Sequence, residues 1–180
     1  MVQSETENLR LNLGAREQPI PGFKGMDLDP HPGIDFVGDV SDLSRFADGS
    51  VEEIYGSHVL EHFEHHKTDA VLKEWFRVLR PGGKLYVAVP DFARAVEIYH
   101  ALGLEDWVIR FCCGDQGYPT AYHYSLFDEE RLGHLLKKAG FSDAFRVEQF
   151  PIGNDGDCSN MASTHDGLPV SLNMIAVKGA

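Results

Sequence analysis

Residues that could do chemistry cluster at the end of an apolar segment that begins at Val51. Ser57 and His58 close this segment, and Glu61 and His62 follow three and four residues after His58. An imidazole with an ordinary pKa near 6.5 is a natural proton acceptor at neutral pH. Two histidines four residues apart on one helical face can also chelate a metal ion. The spacing therefore raises two hypotheses, proton transfer and metal binding.

The string from His58 to His62 matches H-x-x-E-H, the inverted zinc-protease signature. That signature requires a helix and a distant third ligand. Here His58 ends a predicted strand, so we expect no functional metal site. Metal binding by the group of histidines that includes His65 and His66 would be incidental. His62 is expected to be either a catalytic group or a structural hydrogen-bond donor.

Two further segments offer candidate catalytic groups. Asp91 follows the predicted strand Lys84 to Val89, and carboxyl ends of parallel strands lie at the ligand-binding edge of a sheet. The aromatic segment Tyr118 to Tyr124 contains His123 and is predicted to form a lid. His58, His123 and Asp91 are therefore the candidate catalytic residues, although the transfer of an activated group can also rely on alignment alone.

Strands and helices that alternate along the chain must position these groups. A run of apolar residues from Lys84 to Val89 predicts a strand covered on both faces, and apolar stripes at i, i+3, i+4 and i+7 predict helices. The predicted strands span residues 9–14, 23–28, 34–37, 50–56, 84–89, 145–150 and 171–177, and the predicted helices span residues 68–79 and 128–139, with shorter helices near 92–99 and 107–111. This order predicts a three-layer α/β fold whose last two strands are antiparallel.

Composition restricts the class of protein. The chain has 180 residues and a formal net charge of −12 at pH 7, so we expect one domain over residues 1–180 and neither a nucleic acid nor a membrane as partner. The three cysteines include the adjacent pair Cys112 and Cys113 as well as Cys158. An odd count with an adjacent pair does not form a disulfide framework, which favours a reducing cytoplasm.

Two segments carry a family resemblance. GDVSDLSRFADGSVEEIYGSHVLEHF and EWFRVLRPGGKLYVAVPD resemble the class I S-adenosylmethionine-dependent methyltransferases, in particular the small type 11 or methyltransferase-like group. The resemblance continues weakly through HYSLFDEERLGHLLKKAGF and SLNMIAVK. It implies a Rossmann-like sheet of seven strands in the order 3-2-1-4-5-7-6, with strand 7 antiparallel, and S-adenosyl-L-methionine as cofactor.

The resemblance also implies a set of cofactor-binding residues. Asp27 corresponds to the acid that binds the ribose hydroxyls, and Asp39 and Val40 to the acid and amide at the adenine; the alternative is that both acids only form turns. The complete predicted set is Gly14, Ala15, Arg16, Asp27, Leu28, Asp39, Val40, Ser57 and His58.

The chain departs from the family pattern after its first strand. Arg16 stands where the family has a second glycine, and it either pairs with the carboxylate of the cofactor or fills the binding site. The connection from Ala15 to Gly22 is shorter than the dozen residues a parallel crossover normally needs, and its two prolines predict an extended loop in place of a helix.

The expected function is methyl transfer to an oxygen or nitrogen of a small molecule or glycan intermediate. The alternative is a non-catalytic methyltransferase-like partner or scaffold protein. Arg16, the short first crossover and the few residues before the first strand favour this alternative. A homodimer would cover the open site. A nicotinamide oxidoreductase is disfavoured because no G-x-G-x-x-G follows the first strand.

Overall fold

The computed structural model describes residues 8–16, 19–104, 106–152 and 170–180. They form one sheet in the order β3-β2-β1-β4-β5-β7-β6. Strands β1 to β5 are parallel, whereas β7 lies antiparallel to β5 and to β6. The strands are β1 Leu9–Leu13, β2 Lys24–Asp27, β3 Ile34–Val37, β4 Val51–Ser57, β5 Leu79–Pro90, β6 Asp143–Val147 and β7 Ser171–Val177. The predicted topology is confirmed.

Four helices accompany the sheet: α1 Thr68–Val78, α2 Phe92–Leu102, α3 Asp106–Cys113 and α4 Glu129–Ala139. Side chains cap the start of two of them, because the carboxylates of Asp91 and Asp128 accept hydrogen bonds from main-chain N–H groups of α2 and α4. Gly140 ends α4 with a φ of 117°, a value that favours glycine.

The two faces of the sheet are covered differently. On one face α1 and α4 bury the main core against the strands, and Trp75 at its centre is fully buried. On the other face Tyr55 and Tyr86 pack edge-to-face against Phe150, together with Ile20 and Phe23 from the connection after β1. The described residues of that connection contain no helix, as the two prolines predicted.

Side chains of α1 hold the connection between β3 and β4. The indole of Trp75 donates a hydrogen bond of 2.8 Å to the carbonyl of Val40. Arg77 donates to the carbonyls of Leu43 and Phe46 at 3.0 and 3.1 Å, and Glu74 accepts the N–H of Leu43 at 3.0 Å. These bonds satisfy main-chain groups of a connection whose residues form turns.

The observed bounds of β5, β6 and α4 differ from the predicted ones for reasons that neighbouring residues explain. β5 starts directly after α1 at Leu79 and includes Pro81 to Gly83, because Gly82 and Gly83 exchange hydrogen bonds with Lys178. A side chain at Gly83 would lie 2.8 Å from the carbonyl oxygen of Arg80, so the position requires glycine. β6 spans Asp143–Val147 instead of 145–150, since Phe150 turns away from the ladder to cover the second face. α4 starts at Glu129 because Asp128 serves as its cap.

We predict that Arg77→Met destabilises the fold by about 2–3 kcal/mol, because buried carbonyls lose a charged donor. The matched control is Arg80→Met, whose described ionic contact is to Glu52 at the surface; it should cost less than about 1 kcal/mol. Chemical denaturation measures both. Equal losses for the two variants would contradict the role assigned to Arg77.

The same network predicts a pH dependence. The hydrogen bond from Arg77 and its charge hold the pKa of Glu74 below its ordinary value of 4.5, against the effect of partial burial. A carboxyl with a depressed folded pKa stabilises above its unfolded pKa and loses that contribution as the pH falls. The destabilisation by Glu74→Gln should therefore be largest above pH ~5 and shrink below ~4.5, in denaturation measured from pH 7 to 3. Glu97→Gln, at the exposed pair with Arg94, is the control; a pH-independent loss for Glu74→Gln would refute the assignment.

Candidate functional site

A cavity of about 930 Å³ opens at the carboxyl edge of the strands. The residues after β1, β2, β3 and β4 form one side of it, and the segment after α3 forms the other. A volume of this size is at the upper end of the range for small-molecule sites. The lining residues on the strand side include Gly14, Arg16, Asp27, Leu28, Asp39, Val40, Ser57, His58, Val59 and Glu61, and those on the helix side include Arg110, Gly114, Tyr118, Ala121 and His123.

The position of Gly14 requires glycine, because of its backbone conformation and the side chain beside it. Its φ is 70°, and a Cβ at this position would lie 2.4 Å from Cγ2 of Val59. Its N–H donates to the carbonyl of Met26 at 2.8 Å, which ties the end of β1 to β2. The turn after β1 thus brings its main chain against the loop after β4.

Arg16 lies between the two sides of the cavity. Its main-chain N–H donates to Oδ2 of Asp27 at 2.9 Å, and its φ of 43° is unusual for a residue with a side chain. The guanidinium donates to the hydroxyl of Tyr118 and stacks over that ring at 5.4 Å from its centroid. The side chain therefore joins the turn after β1 to the segment after α3.

Asp39 combines a turn with a place in the cavity. Its Oδ1 accepts hydrogen bonds from the N–H and hydroxyl of Ser41 at 2.8 and 2.7 Å. The turn is the alternative raised from the sequence, and the residue lines the cavity as well. Trp75 fixes the carbonyl of the adjacent Val40, so α1 sets the position of this turn.

His58 sits in a strained backbone conformation at the end of β4. Its φ is 54°, a left-handed value that costs of order 1 kcal/mol or more and is concentrated at functional sites. Nε2 of the ring lies 2.6 Å from the hydroxyl of Ser171, and Nδ1 lies 3.2 Å from Oε1 of Glu61. Both ring nitrogens are therefore engaged.

Glu61 is a fully buried acid in the cavity wall. Oε2 of the carboxylate has no hydrogen-bond partner among the residues that the structure describes, whereas Oε1 lies 3.2 Å from Nδ1 of His58. Burial raises the pKa of Glu61, but the contact with His58 and the charges of His58 and His62 outweigh it and hold the pKa below its ordinary value. The site thus contains a buried carboxylate with spare acceptor capacity.

The rings of His62 and His123 pack edge-to-face in the lining of the cavity, with centroids 5.0 Å apart. Nδ1 of His62 lies 2.9 Å from the carbonyl of Tyr122, and Nδ1 of His123 lies 2.9 Å from that of Phe111. A carbonyl oxygen only accepts, so both Nδ1 atoms carry the proton and Nε2 is left with its lone pair in the neutral ring. Burial lowers the pKa of His123, which favours its neutral form.

The described residues offer no helix that is long and apolar enough to cross a membrane. A methyltransferase domain family matches residues 23–87, about a third of the chain. No functionally curated protein shows significant similarity.

Solved structures match over nearly the whole chain. A methyltransferase from Archaeoglobus fulgidus is 14% identical, with 96% of this chain and 87% of that chain covered and a TM-score of 0.61. The 1,6-didemethyltoxoflavin-N1-methyltransferase of Burkholderia thailandensis, with bound 1,6-didemethyltoxoflavin and S-adenosylhomocysteine, is 18% identical over 96% and 71%, with a TM-score of 0.60. A Haloferax volcanii methyltransferase in complex with the Trm112 activator is 16% identical over 96% and 83%, with a TM-score of 0.53.

This protein has the class I methyltransferase fold. The predicted resemblance to S-adenosylmethionine-dependent methyltransferases is confirmed by the domain match and by these neighbours, and the predicted enzyme class and cofactor agree with them. The methyl acceptor and the individual site residues stay predictions.

The methyltransferase fold brings most of the predicted site residues to one cavity. Of the predicted set, Ala15 is buried beside the cavity and does not line it. Asp91 also lies outside the lining: it is buried, caps α2, and its Oδ2 accepts a hydrogen bond of 2.9 Å from Arg146. Cys158 falls outside the described residues.

Glu61, Ser171 and Tyr118 have contacts that the sequence did not predict. Ser171 is 113 residues from its partner His58, and Tyr118 is 102 residues from Arg16. A signal for Glu61 was present, because this acid stands among the apolar residues Val59, Leu60 and Phe63, and a glutamate is unusual at a buried position.

We predict that the contact between Arg16 and Tyr118 slows ligand exchange. Tyr118→Ala should accelerate dissociation of S-adenosylhomocysteine about fivefold, the equivalent of about 1 kcal/mol for one exposed cation–π and hydrogen-bonded pair. Stopped-flow fluorescence measures the rate. Tyr124→Ala is the matched control, because Tyr124 is equally exposed and lies outside the cavity lining. Unchanged dissociation in Tyr118→Ala would show that this contact does not close the site.

Proposed function

We propose that this protein is a methyltransferase that transfers the methyl group of S-adenosylmethionine to an oxygen or nitrogen of a small molecule. The observation that carries the proposal is one cavity lined by two strand-end carboxylates, Asp27 and Asp39, and by the histidine pair His62 and His123. The Burkholderia neighbour, which binds a small-molecule substrate, supports the class of acceptor.

The strand side of the cavity fits the cofactor. Asp27 would accept hydrogen bonds from the ribose hydroxyls, and Asp39 with the N–H of Val40 would bind the adenine. Gly14 lines the same side of the cavity, and its main chain would contact the methionine part. When bound, S-adenosylmethionine supplies a methyl group that its sulfonium already activates.

The part of the cavity around His62 and His123 would receive the methyl acceptor. Nε2 of His123 has a lone pair, so it would accept the proton of a hydroxyl or amine. His58 would position Glu61 through its contact with the carboxylate, and we assign it an orienting role because both of its ring nitrogens are engaged. For Asp91 we propose a structural role on the basis of its ion pair with Arg146.

We further propose that residues 1–180 act as a single methyltransferase-like domain in the cytoplasm, with no nucleic acid or membrane partner. A glycan intermediate remains one class of acceptor within this proposal. The segment that carries Tyr118 would cover the cofactor in place of the missing first helix, and a homodimer would cover it further. A neighbour in complex with an activator raises a protein partner as a second way to complete the site.

Isothermal titration with S-adenosylhomocysteine tests the proposal. Asp27→Asn keeps the shape of the side chain but removes a charged acceptor worth about 1.5–3 kcal/mol, so affinity should fall roughly 10- to 100-fold. Asp42→Asn is the control, because Asp42 is an exposed acid in a similar turn that lies outside the cavity lining.

Arg16→Gly separates the enzyme from the non-catalytic alternative. If Arg16 pairs with the carboxylate of the cofactor the affinity falls, and if it fills the site the affinity rises. If neither the wild type nor Arg16→Gly binds S-adenosylhomocysteine at millimolar concentration, the enzyme hypothesis is refuted and a scaffold protein is favoured.

A further inference from the structure

We propose that Glu61, His62 and His123 form a binding site for a divalent transition-metal ion, with Zn²⁺ as the first candidate. Each side chain offers one donor atom, and the three donor atoms lie within 4.8 Å of one another. Zinc binds nitrogen and oxygen at 2.0–2.2 Å, so the three side chains would close around the ion on binding. No metal site was expected from the sequence, because His58 ends a strand where the H-x-x-E-H signature requires a helix. The fold adds His123, 61 residues after His62, as a third side chain.

The two histidines are oriented as metal ligands are in proteins. A ligating histidine usually donates its other ring N–H to a carbonyl or carboxylate, which fixes the tautomer and the direction of the lone pair. Both His62 and His123 make this bond from Nδ1 to a main-chain carbonyl, at 2.9 Å each.

Glu61 supplies the charge. Glu61 is fully buried, and its Oε2 has no described hydrogen-bond partner; a buried carboxylate is costly unless cationic groups compensate it. His58 contacts Oε1 at 3.2 Å, which leaves Oε2 for an ion. Two histidines and one carboxylate are a ligand set that suits zinc and other divalent transition metals.

The main chain holds the three ligands in place. The N–H groups of Tyr124 and Ser125 donate to the carbonyl of Glu61 at 2.8 and 3.2 Å, and the hydroxyl of Ser125 donates to the carbonyl of Phe63 at 2.7 Å. These bonds tie the 3₁₀ turn Leu60–His62 to the segment of His123. Ligands from two separate parts of the chain are thus preorganised.

The site has an open position toward the cavity. Three protein ligands with a free fourth position characterise catalytic rather than structural zinc, and all three ligands line the cavity. The fourth ligand would be the oxygen of the methyl acceptor, whose pKa the ion would lower. This assignment of the fourth ligand rests on the proposed function, and with an ion bound His123 would orient the acceptor through the ion instead of taking its proton.

The test measures zinc affinity directly, by competition with a chromophoric chelator, together with metal content after dialysis. The wild type should bind one ion per chain. His62→Ala and His123→Ala should each weaken binding at least about tenfold, since each removes a direct ligand. Co²⁺ in place of zinc should give the visible absorption of a four-coordinate site, lost in both variants.

The control is the double variant His65→Ala/His66→Ala. These two histidines also adjoin one another, with ring centroids 5.6 Å apart, and His66 lies 3.2 Å from Glu64, but they form an exposed surface pair. The double variant should bind one zinc ion as tightly as the wild type does. If it loses the ion, or if His62→Ala binds zinc as tightly as the wild type, the site is refuted and the ion is a surface ligand.

Two further measurements separate failure of the site from failure of folding or of the enzyme. Circular dichroism of the metal-free variants establishes that each is folded, and Glu61→Gln, which keeps the side-chain volume, should also bind zinc at least about tenfold more weakly. Titration with S-adenosylhomocysteine, with and without zinc, reports on the cofactor side alone. If the wild type binds zinc but does not bind S-adenosylhomocysteine, the proposed methyltransferase function is refuted and the proposed metal site is still supported.

Discussion

The hydrogen bonds from α1 to the connection between β3 and β4 are the constraint on which the site depends. Turns within this connection satisfy only part of its main chain, and Trp75, Glu74 and Arg77 bond further main-chain groups from outside. Because the bonded segment begins at Val40, next to Asp39, the same contacts fix one wall of the cavity. Stability and binding geometry are therefore coupled through one helix, whose buried face also forms the centre of the main core.

A second part of the same side of the cavity depends on two crowded main-chain positions. Gly14 and His58 both adopt positive φ values, and Val59 fills the space where a side chain at Gly14 would lie. The strain at His58 is maintained by its contacts with Glu61 and Ser171 and by the bond from its N–H to the carbonyl of Ala88 at 2.9 Å. These contacts hold His58 in place beside the buried carboxylate of Glu61. A buried charge is costly unless a partner is held in good geometry beside it.

The fold could be predicted to a large extent from the sequence because its signals are local. Apolar stripes define α1 and α4, Gly140 marks the end of α4, and the two prolines after Glu17 exclude a first helix. β6 was misplaced by two or three residues at each end because Phe150 is as apolar as a strand residue but belongs to the packing of the second face. Hydrophobicity alone does not distinguish a ladder position from a loop side chain that covers a sheet.

By itself the sequence determined which residues reach the carboxyl edge of the sheet, since that edge follows from strand order, and it identified Asp27, Asp39, His58 and His123 as candidates. Only the tertiary structure decided which of them meet. Arg16 turns to Tyr118, Asp91 turns to Arg146, and His62 and His123 converge on Glu61. Such encounters depend on how segments far apart in the chain pack together, and no local pattern encodes the direction of a side chain across a cavity.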